Sequence, residues 1–412
     1  MSNNEQWNRR SFLTAMGGAG AALMLSPLLS WAATDPDPRI AAIVAKTFGI
    51  DTHNHVDVPL IKSELQGPKV DLAGELRKSG LLAICMTFAV DYQKLVNPGD
   101  AYERFVNGLT AMDEILKVNS MKRAFNFEDL QLAHKIKQPT VIQSVEGGHF
   151  LEGKIERLQI AYDRGLRHLG LLHDNDASVP LGDIFTKTPQ WGGLTSFGAE
   201  VIQECERLGI LVDLSHCDNN TVNGALKVAK KPVLVSHTGL NTKLGTNEFM
   251  SKMMMPRLIN KEQAKIVADN GGVIGVWTHL ADSPVEFADN IKAMVNIVGI
   301  DHVCIGTDTK LTPAYRSPTE KGWGGEGNKR PQGGPDGTPK REGEHKDQKS
   351  PGPEGNKKPG GGGTNQVWES QKQGFYYTVV EALLNTGFKE EEIAKIGGGN
   401  YCRIFDVATK RS

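Results

Sequence analysis

Cysteine is scarce in this chain, and neither sign of charge is in excess. The 412 residues include five cysteines, none of them in a Cys-x-x-Cys pair, which excludes a disulfide scaffold and a cysteine-based zinc finger. Lys and Arg total 47 against 48 Asp and Glu, so the chain lacks the basic surplus that nucleic-acid binding requires. Hydrophobic residues make up 39% of the chain, which is ordinary for a globular protein with a large core.

An apolar run near the N-terminus has the pattern of an export signal. Arg9 and Arg10 precede a weakly hydrophobic stretch that reaches Leu29, and small residues suited to cleavage follow. This pattern predicts a twin-arginine signal peptide over residues 1–33, recognised by the twin-arginine export machinery, and a periplasmic or otherwise exported protein. A membrane anchor is the alternative, but glycines and a proline interrupt a run of barely 18 residues, which is short for a spanning helix.

The remainder, residues 34–412, alternates short apolar runs with helical patterns. Eight such runs predict strands, and eight βα units predict a closed (β/α)₈ TIM barrel in a single domain. An open doubly wound sheet is the alternative, but it would place a Gly-rich loop after the first strand, where this chain has Thr52-His53-Asn54-His55. The predicted strands are Thr47–Asp51, Leu81–Phe88, Thr140–Val145, Arg167–Leu172, Ile210–Leu214, Pro232–Val235, Gly272–Trp277 and His302–Gly306.

One segment departs from this pattern. Residues 321–364 contain 14 Gly and 6 Pro among 44 residues, interleaved with charged side chains. Such a composition buries too little apolar surface to offset its ordering entropy, so it predicts a disordered insertion. It follows the eighth strand, where a lid over an active site would lie, although a solvated insertion is the simpler interpretation.

Histidines follow several of the predicted strands. His53 and His55 are two residues apart, so their side chains share one face of a strand. His216 and His237 end the fifth and sixth strands in matching Ser-His sequences, 21 residues apart. Because a barrel builds its active site at the carboxyl ends of its strands, we expect all four imidazoles to meet there.

Glu146 ends the third strand and completes a metal-ligand set with these four histidines. Five ligands exceed what one tetrahedral zinc ion needs, but they suit two Zn²⁺ ions that share Glu146 and a hydroxide. Other divalent metals remain open. The remaining histidines are weaker candidates: His149 could support the site, His279 and His302 are more simply structural, and His134, His168 and His345 carry no signal.

Three further side chains at strand ends are candidates for catalysis or substrate binding. Asp308 ends strand eight and could transfer a proton or bind a substrate ammonium group, unless it only caps a helix. His173 ends strand four and could stabilise negative charge on a carbonyl oxygen. Arg257 lies in the loop after strand six and could bind a carboxylate, although it could equally be an exposed charge.

Taken together, the motifs resemble the membrane (renal) dipeptidase family, peptidase family M19 of the amidohydrolase superfamily. The resemblance runs from about Gly49 to Phe405, apart from the insertion. Its motifs are Val145-Glu146-Gly147-Gly148-His149, His173-Asp174-Asn175, Asp213-Leu214-Ser215-His216, Val235-Ser236-His237, Gly306-Thr307-Asp308 and Gly398-Gly399-Asn400-Tyr401-Cys402-Arg403-Ile404-Phe405.

The resemblance implies a two-zinc barrel that hydrolyses dipeptides, often with a D-residue at the C-terminal position, and suggests a homodimer. Carried over, His53, His55 and Glu146 would hold one zinc, and Glu146, His216 and His237 the other. A hydroxide between the metals would attack the peptide carbonyl. His173 would stabilise the carbonyl oxygen, Arg257 would bind the dipeptide carboxylate, and Asp308 would act near the amino group and in proton transfer.

Position 55 departs from the family, which usually has His-x-Asp on this strand. A neutral imidazole in place of a carboxylate makes the site one unit more positive, which predicts a more acidic bridging water and an altered metal preference. Two other functions remain open from the sequence. One is the hydrolysis of a different small amide or lactone, such as the tailoring of a secreted peptide, and the other is a binding protein without turnover.

Overall fold

Eight parallel strands close into a barrel in the computed structural model, which describes residues 37–65, 69–315 and 363–410. The strands pair in chain order from β2 to β8, and β1 closes the barrel between β8 and β2, with the short β9 beside β1. Their bounds are β1 Ile50–His55, β2 Ala83–Ala89, β3 Thr140–Glu146, β4 Leu166–Gly170, β5 Leu211–Asp213, β6 Leu234–Thr238, β7 Val273–Val276, β8 Val303–Ile305 and β9 Thr309–Lys310.

Helices follow the strands and cover the barrel. Many begin at a polar cap, as where the Asp218 carboxylate accepts the Thr221 N–H at the start of α7. The helices are α1 Pro38–Lys46, α2 Leu72–Ser79, α3 Asp100–Val118, α4 Phe127–Lys135, α5 Arg157–Asp163, α6 Ser196–Leu208, α7 Asn219–Val228, α8 Glu248–Met254, α9 Lys261–Asp269, α10 Pro284–Val298, α11 Phe375–Asn385, α12 Glu390–Ala394 and α13 Asn400–Thr409.

The C-terminal helix α13 covers the amino-terminal end of the barrel. Its Tyr401, Ile404 and Phe405 form one buried cluster with residues from the starts of the strands, such as Ile50 of β1. The Cys85 thiol, on β2, lies 3.2 Å from the Tyr401 hydroxyl. Apolar packing therefore fills this end, and the polar side chains of the strands collect at the opposite, carboxyl end.

The predicted barrel is confirmed, but the first strand was placed too early. Thr47 ends α1, and β1 runs from Ile50 through His55. The sequence Thr52-His53-Asn54-His55 had the polarity of a loop, yet all four residues are buried within or at the end of the strand. Polar side chains are tolerated there because they hydrogen-bond one another and line the site.

The structure describes little of the two segments that were predicted to lie outside the barrel. The predicted signal peptide, residues 1–33, and residues 321–362 of the predicted insertion lie outside the described residues. Thr364 is described and fully buried, and its hydroxyl lies 2.8 Å from Asn54 Nδ2 and from Thr309 Oγ1. Thr364, the last residue of the predicted insertion, therefore packs within the fold. No helix among the described residues is both long and apolar enough to span a membrane.

Candidate metal centre

Glu146 lies at the centre of a ring of imidazoles at the carboxyl end of the barrel. Its Oε1 lies 2.8 Å from His216 Nε2, 3.4 Å from His53 Nε2 and 3.7 Å from His237 Nε2. Its Oε2 lies 3.3 Å from His173 Nε2 and 3.8 Å from His55 Nε2. Five imidazoles from four strands or their ends (β1, β4, β5 and β6) thus converge on one buried carboxylate, as four of them were predicted to do.

The ligand atoms form three overlapping groups rather than the two predicted sets. These groups are His53 with Glu146 and His237, His53 with His55 and Asp308, and Glu146 with His173 and His216. Asp308, predicted to act on protons and substrate, therefore also lies where a metal ligand would. His173, predicted to stabilise the carbonyl oxygen, has its Nε2 3.3 Å from Glu146 Oε2, close enough for both to contact one metal ion.

The donor atoms suit divalent metal ions. The ring nitrogens face one another in pairs, with His53 Nε2 3.2 Å from His55 Nε2 and His216 Nε2 3.0 Å from His237 Nε2. Oε2 of Glu146 is buried without a hydrogen-bond partner. Converging imidazole nitrogens with an unpaired buried carboxylate oxygen are the borderline-soft, anionic set that zinc and similar ions prefer.

Burial and neighbouring charges shift the pKa values of several side chains in the site. Burial alone would raise the pKa of Glu146, but His173, His53 and His216 hold it well below its ordinary value. Burial likewise disfavours the charged form of His216, yet Glu146 and Asp174 raise its pKa to about 10. Burial and the neighbouring His237 lower the pKa of His53. Opposite charge outweighs burial at Glu146 and His216 but not at His53, and a bound cation would take the place of the protons.

The β1 side of the site rests on Asp51 and is bordered by Asp308. Asp51 accepts hydrogen bonds from Thr307 N at 2.9 Å and Thr307 Oγ1 at 2.6 Å, which ties β1 to the end of β8. Asp308 Oδ1 lies 3.2 Å from His55 Nε2, and its Oδ2 lies 2.8 Å from His279 Nε2. Asp308 has a φ of 55°, a strained backbone position of the kind that functional sites retain.

The β5–β6 side rests on Asp213. Its carboxylate accepts hydrogen bonds from Ser236 N at 2.9 Å and from Ser215 Oγ at 2.8 Å. On its other side, Asp213 Oδ2 lies 3.2 Å from Nε2 of the buried His168. Asp213 therefore fixes the two Ser-His sequences that position His216 and His237.

His173 is oriented by a buried aspartate. Its Nδ1 lies 2.6 Å from Asp91 Oδ1, which leaves Nε2 directed at Glu146. Asp91 also accepts a hydrogen bond from Asn175 Nδ2 at 3.0 Å, and its Oδ2 lies 3.6 Å from His149 Nε2. His149 thus contacts the aspartate that orients His173, which is where a residue that supports the site would lie.

Arg257 reaches the rim of the same site but is paired. Its Nη2 donates to both oxygens of Asp174, at 2.9 and 2.8 Å. Asp174 Oδ1 also lies 3.2 Å from His216 Nδ1. Arg257, His216, His237 and Phe185 line one cavity of about 430 Å³.

Several functional residues were missed from the sequence. Asp91 and Tyr92 follow β2 directly, and the Tyr92 hydroxyl lies 2.9 Å from His55 Nδ1. The rule that strand ends carry the site could have found both. His279 was taken as structural, yet it contacts Asp308, and His168, which carried no signal, contacts Asp213. His302 contacts the Gly272 carbonyl at 2.8 Å, in keeping with a structural role.

Sequence comparison identifies a family over most of the barrel. The family model for membrane dipeptidase (peptidase family M19) matches residues 38–316. An uncharacterised dipeptidase of Schizosaccharomyces pombe is 31% identical over 175 residues, which is 40% of either chain. Dipeptidase 3 of Mus musculus is 27% identical over 176 residues, 39% of this chain and 33% of that protein. The alignments thus span less than half of these relatives.

Solved structures share the fold over nearly their whole length. An amidohydrolase from Pseudomonas aeruginosa has a TM-score of 0.64 at 20% identity, covering 90% of this chain and 99% of that one. The probable dipeptidase PvdM of the same organism has a TM-score of 0.65 at 16% identity, covering 91% and 98%. A metallo peptidase from Rhodobacter sphaeroides, bound to a phosphinate mimic of L-Ala-D-Ala, has a TM-score of 0.58 at 13% identity, covering 88% and 100%.

Proposed function

Because the chain belongs to the membrane dipeptidase family, peptidase family M19, we propose that it is a metal-dependent dipeptidase that hydrolyses the peptide bond of dipeptides. The observation that carries this proposal is the convergence of five imidazoles on Glu146, with Asp308 and Arg257 at the rim of the same site. Such an arrangement places candidate metal ligands beside a carboxylate that can transfer a proton, Asp308, and a guanidinium that can bind a polar end of the substrate, Arg257.

We propose two Zn²⁺ ions as the cofactor. His53, His55 and Asp308 would hold one ion, and His216 with His237 the other, with Glu146 shared between them. When bound, the ions would polarise the scissile carbonyl and acidify a water molecule.

The protein side chains would position the substrate and move protons. His173, oriented through Nδ1 by Asp91, would present Nε2 to the carbonyl oxygen as negative charge develops there. Asp308 Oδ2 lies beside His279 Nε2, so it would accept a proton from the attacking water and pass it to the leaving amine. Arg257 and Asp174 would face the C-terminal end of the substrate.

The substrate range and cellular location extend this proposal. The likeness in fold to a peptidase bound to a mimic of L-Ala-D-Ala supports testing dipeptides with a D-residue at the C-terminal position. The paired Arg9 and Arg10 support twin-arginine export to the periplasm. A homodimer is proposed from the resemblance to the family alone.

The test is release of amino acids from free dipeptides, in L,L and L,D pairs and with N-acetylated versions, by the zinc-loaded mature protein. We expect release by the wild type, and a loss of about a thousandfold with one metal ion fewer in Glu146→Gln, because both halves of the site share this carboxylate. Glu156→Gln makes the same change at an exposed residue and should leave both readouts unchanged.

Two results would contradict the proposal. One is the absence of release from any dipeptide by protein with two metals bound, which would favour a different amide or lactone substrate. The other is full activity and full metal content in Glu146→Gln. Far-ultraviolet circular dichroism is the check that the variant is folded.

A further inference from the structure

We propose that Asp174 sets the specificity of the site by neutralising Arg257, so that the enzyme prefers dipeptides whose terminal carboxyl group is an uncharged amide to free dipeptides. This inference rests on the proposed dipeptidase function. It concerns the end of the substrate that lies away from the scissile bond.

Asp174 holds the guanidinium directly. Nη2 of Arg257 donates to both carboxylate oxygens, at 2.9 and 2.8 Å. The Arg257 backbone is fixed as well, because Thr238 Oγ1 donates to its carbonyl at 2.9 Å. The guanidinium carbon lies 5.7 Å from the centre of the Phe185 ring. A substrate therefore meets Arg257 as one half of an ion pair with Asp174.

Asp174 is also held from a second side. Its Oδ1 lies 3.2 Å from His216 Nδ1, so a substrate carboxylate that displaced it from Arg257 would have to disturb the support of a metal-ligand histidine. The pair is not sealed off, since the side chains of Arg257 and Asp174 are 26% and 36% exposed. A substrate end can therefore approach both residues while they remain paired.

The charge at this position suits an amide. A free carboxylate that reached Arg257 would lie within a few ångströms of the Asp174 carboxylate, and like charges so close repel. A terminal amide carries no charge. Its N–H₂ can donate to Asp174, and its carbonyl can accept from Arg257 through the remaining guanidinium donors. Both groups of the ion pair are then used at once.

The experiment compares two matched substrates, L-Ala-L-Ala and L-Ala-L-Ala amide. Hydrolysis releases two alanines from the free dipeptide but one alanine and one alanine amide from the other substrate, so alanine release by the free dipeptide is halved before the two values of kcat/KM are compared. For the wild type, we expect the amide to be favoured by about tenfold or more, mostly through KM. In Asp174→Asn the guanidinium loses its counter-charge, and the preference should shift by about tenfold or more towards the free dipeptide.

The control is Asp176→Asn, which removes a carboxylate two residues away. Asp176 pairs with Lys187 at 2.8 Å and not with Arg257, so the substrate ratio should not change. A general loss of stability in either variant would lower both activities without moving their ratio.

The inference and the proposed function fail in different ways. A wild type that hydrolyses the free dipeptide as well as the amide or better overturns the inference and leaves the dipeptidase intact. An unchanged ratio in Asp174→Asn also overturns the inference. If Asp174→Asn does not fold, the wild-type ratio alone decides. Hydrolysis of neither substrate by the metal-loaded wild type counts against both the dipeptidase function and this inference.

Discussion

The histidines of β1 and those of the β5–β6 side reach the same carboxylate from opposite sides of the barrel mouth, each above a fully or almost fully buried aspartate. We call these the β1 half, with His53 and His55 above Asp51, and the β5–β6 half, with His216 and His237 above Asp213. Burial raises the pKa of Asp51 to about 6, despite hydrogen bonds from Thr307 and its neighbours. The pKa of Asp213 is instead lowered, because His168 and other partners outweigh burial.

The difference comes chiefly from the His168 imidazole, with a further contribution from His237. Asp51 accepts from neutral donors only, among them Asn54 Nδ2 at 2.8 Å and Thr307 N at 2.9 Å. Asp213 has comparable neutral donors and, in addition, His168 Nε2 at 3.2 Å. Neutral hydrogen bonds therefore do not fully offset the burial of a carboxylate, whereas a chargeable partner does.

Of the substitutions that test this comparison, those of the two aspartates by asparagine should have the largest effects, and they act on the free energy of unfolding. We expect Asp213→Asn to lower the free energy of unfolding by about 3 kcal/mol, because it breaks a buried pair with His168 and leaves serine donors without an acceptor. Asp51→Asn should cost only about 1 kcal/mol at neutral pH, because it also removes an unfavourable buried charge. Urea unfolding of the metal-free proteins measures both, and equal losses would contradict the comparison.

The raised pKa of Asp51 also predicts how the free energy of unfolding changes with pH. The pKa of Asp51 is higher in the fold than its ordinary value of 3.8, so its contribution to stability is greatest below pH 4. That contribution is lost as the pH rises through about 6. Relative to Asp51→Asn, the wild type should therefore lose at most about 3 kcal/mol between pH 4 and 7. A constant difference across this range would refute the raised pKa.

His55→Asp should have the next largest effect, and it acts on the β1 half alone. His55 lies between the Tyr92 hydroxyl and Asp308 Oδ1, at 2.9 and 3.2 Å. A carboxylate makes the site one unit more negative, so we expect the acidic limb of the pH–rate profile to move up by about one unit. Metal analysis accompanies the kinetics. A variant that matches the wild type in profile and metal content would refute the proposed role of His55.

Tyr92→Phe should have the smallest effect. It removes the hydroxyl beside His55 Nδ1 and leaves the ring in place, so His55 loses one orienting contact. Such contacts are worth about tenfold in metal affinity, which competition with a chelator measures. Because Tyr92 contacts His55 and no histidine of the β5–β6 half, we expect only the ion held by the β1 half to lose affinity. Equal loss of both ions would contradict this division.

The barrel and the convergence of four histidines on Glu146 could be predicted from the sequence because both follow simple spacing. Strands recur with helices between them, and His53 with His55 and His216 with His237 occupy matching places in that repeat. Glu146 could be placed for the same reason. Position at a strand end is a property of the sequence alone, so no three-dimensional contact is needed to place these residues.

The supporting residues could not be predicted, because their roles depend on contacts between distant parts of the chain. His279 reaches Asp308 across 29 residues, and His168 reaches Asp213 across 45. The pairing of Arg257 with Asp174 spans 83 residues. Arg257 alone has the pattern of a carboxylate-binding group, and only the folded chain shows the counter-charge that it already holds.

The C-terminal helix α13 has a consequence for the timing of folding. The amino-terminal end of the barrel is filled by Tyr401, Ile404 and Phe405, which contact residues from strands as early as β1. β1 itself pairs with β8, some 250 residues later in the chain. The β1–β8 pairing cannot form before residues 303–305 have been synthesised, and the packing of α13 cannot form before residues 401–405 have been. We therefore expect the barrel to assemble only after α13 has been synthesised, and truncation before Asn400 to leave the four histidines and Glu146 synthesised but not assembled.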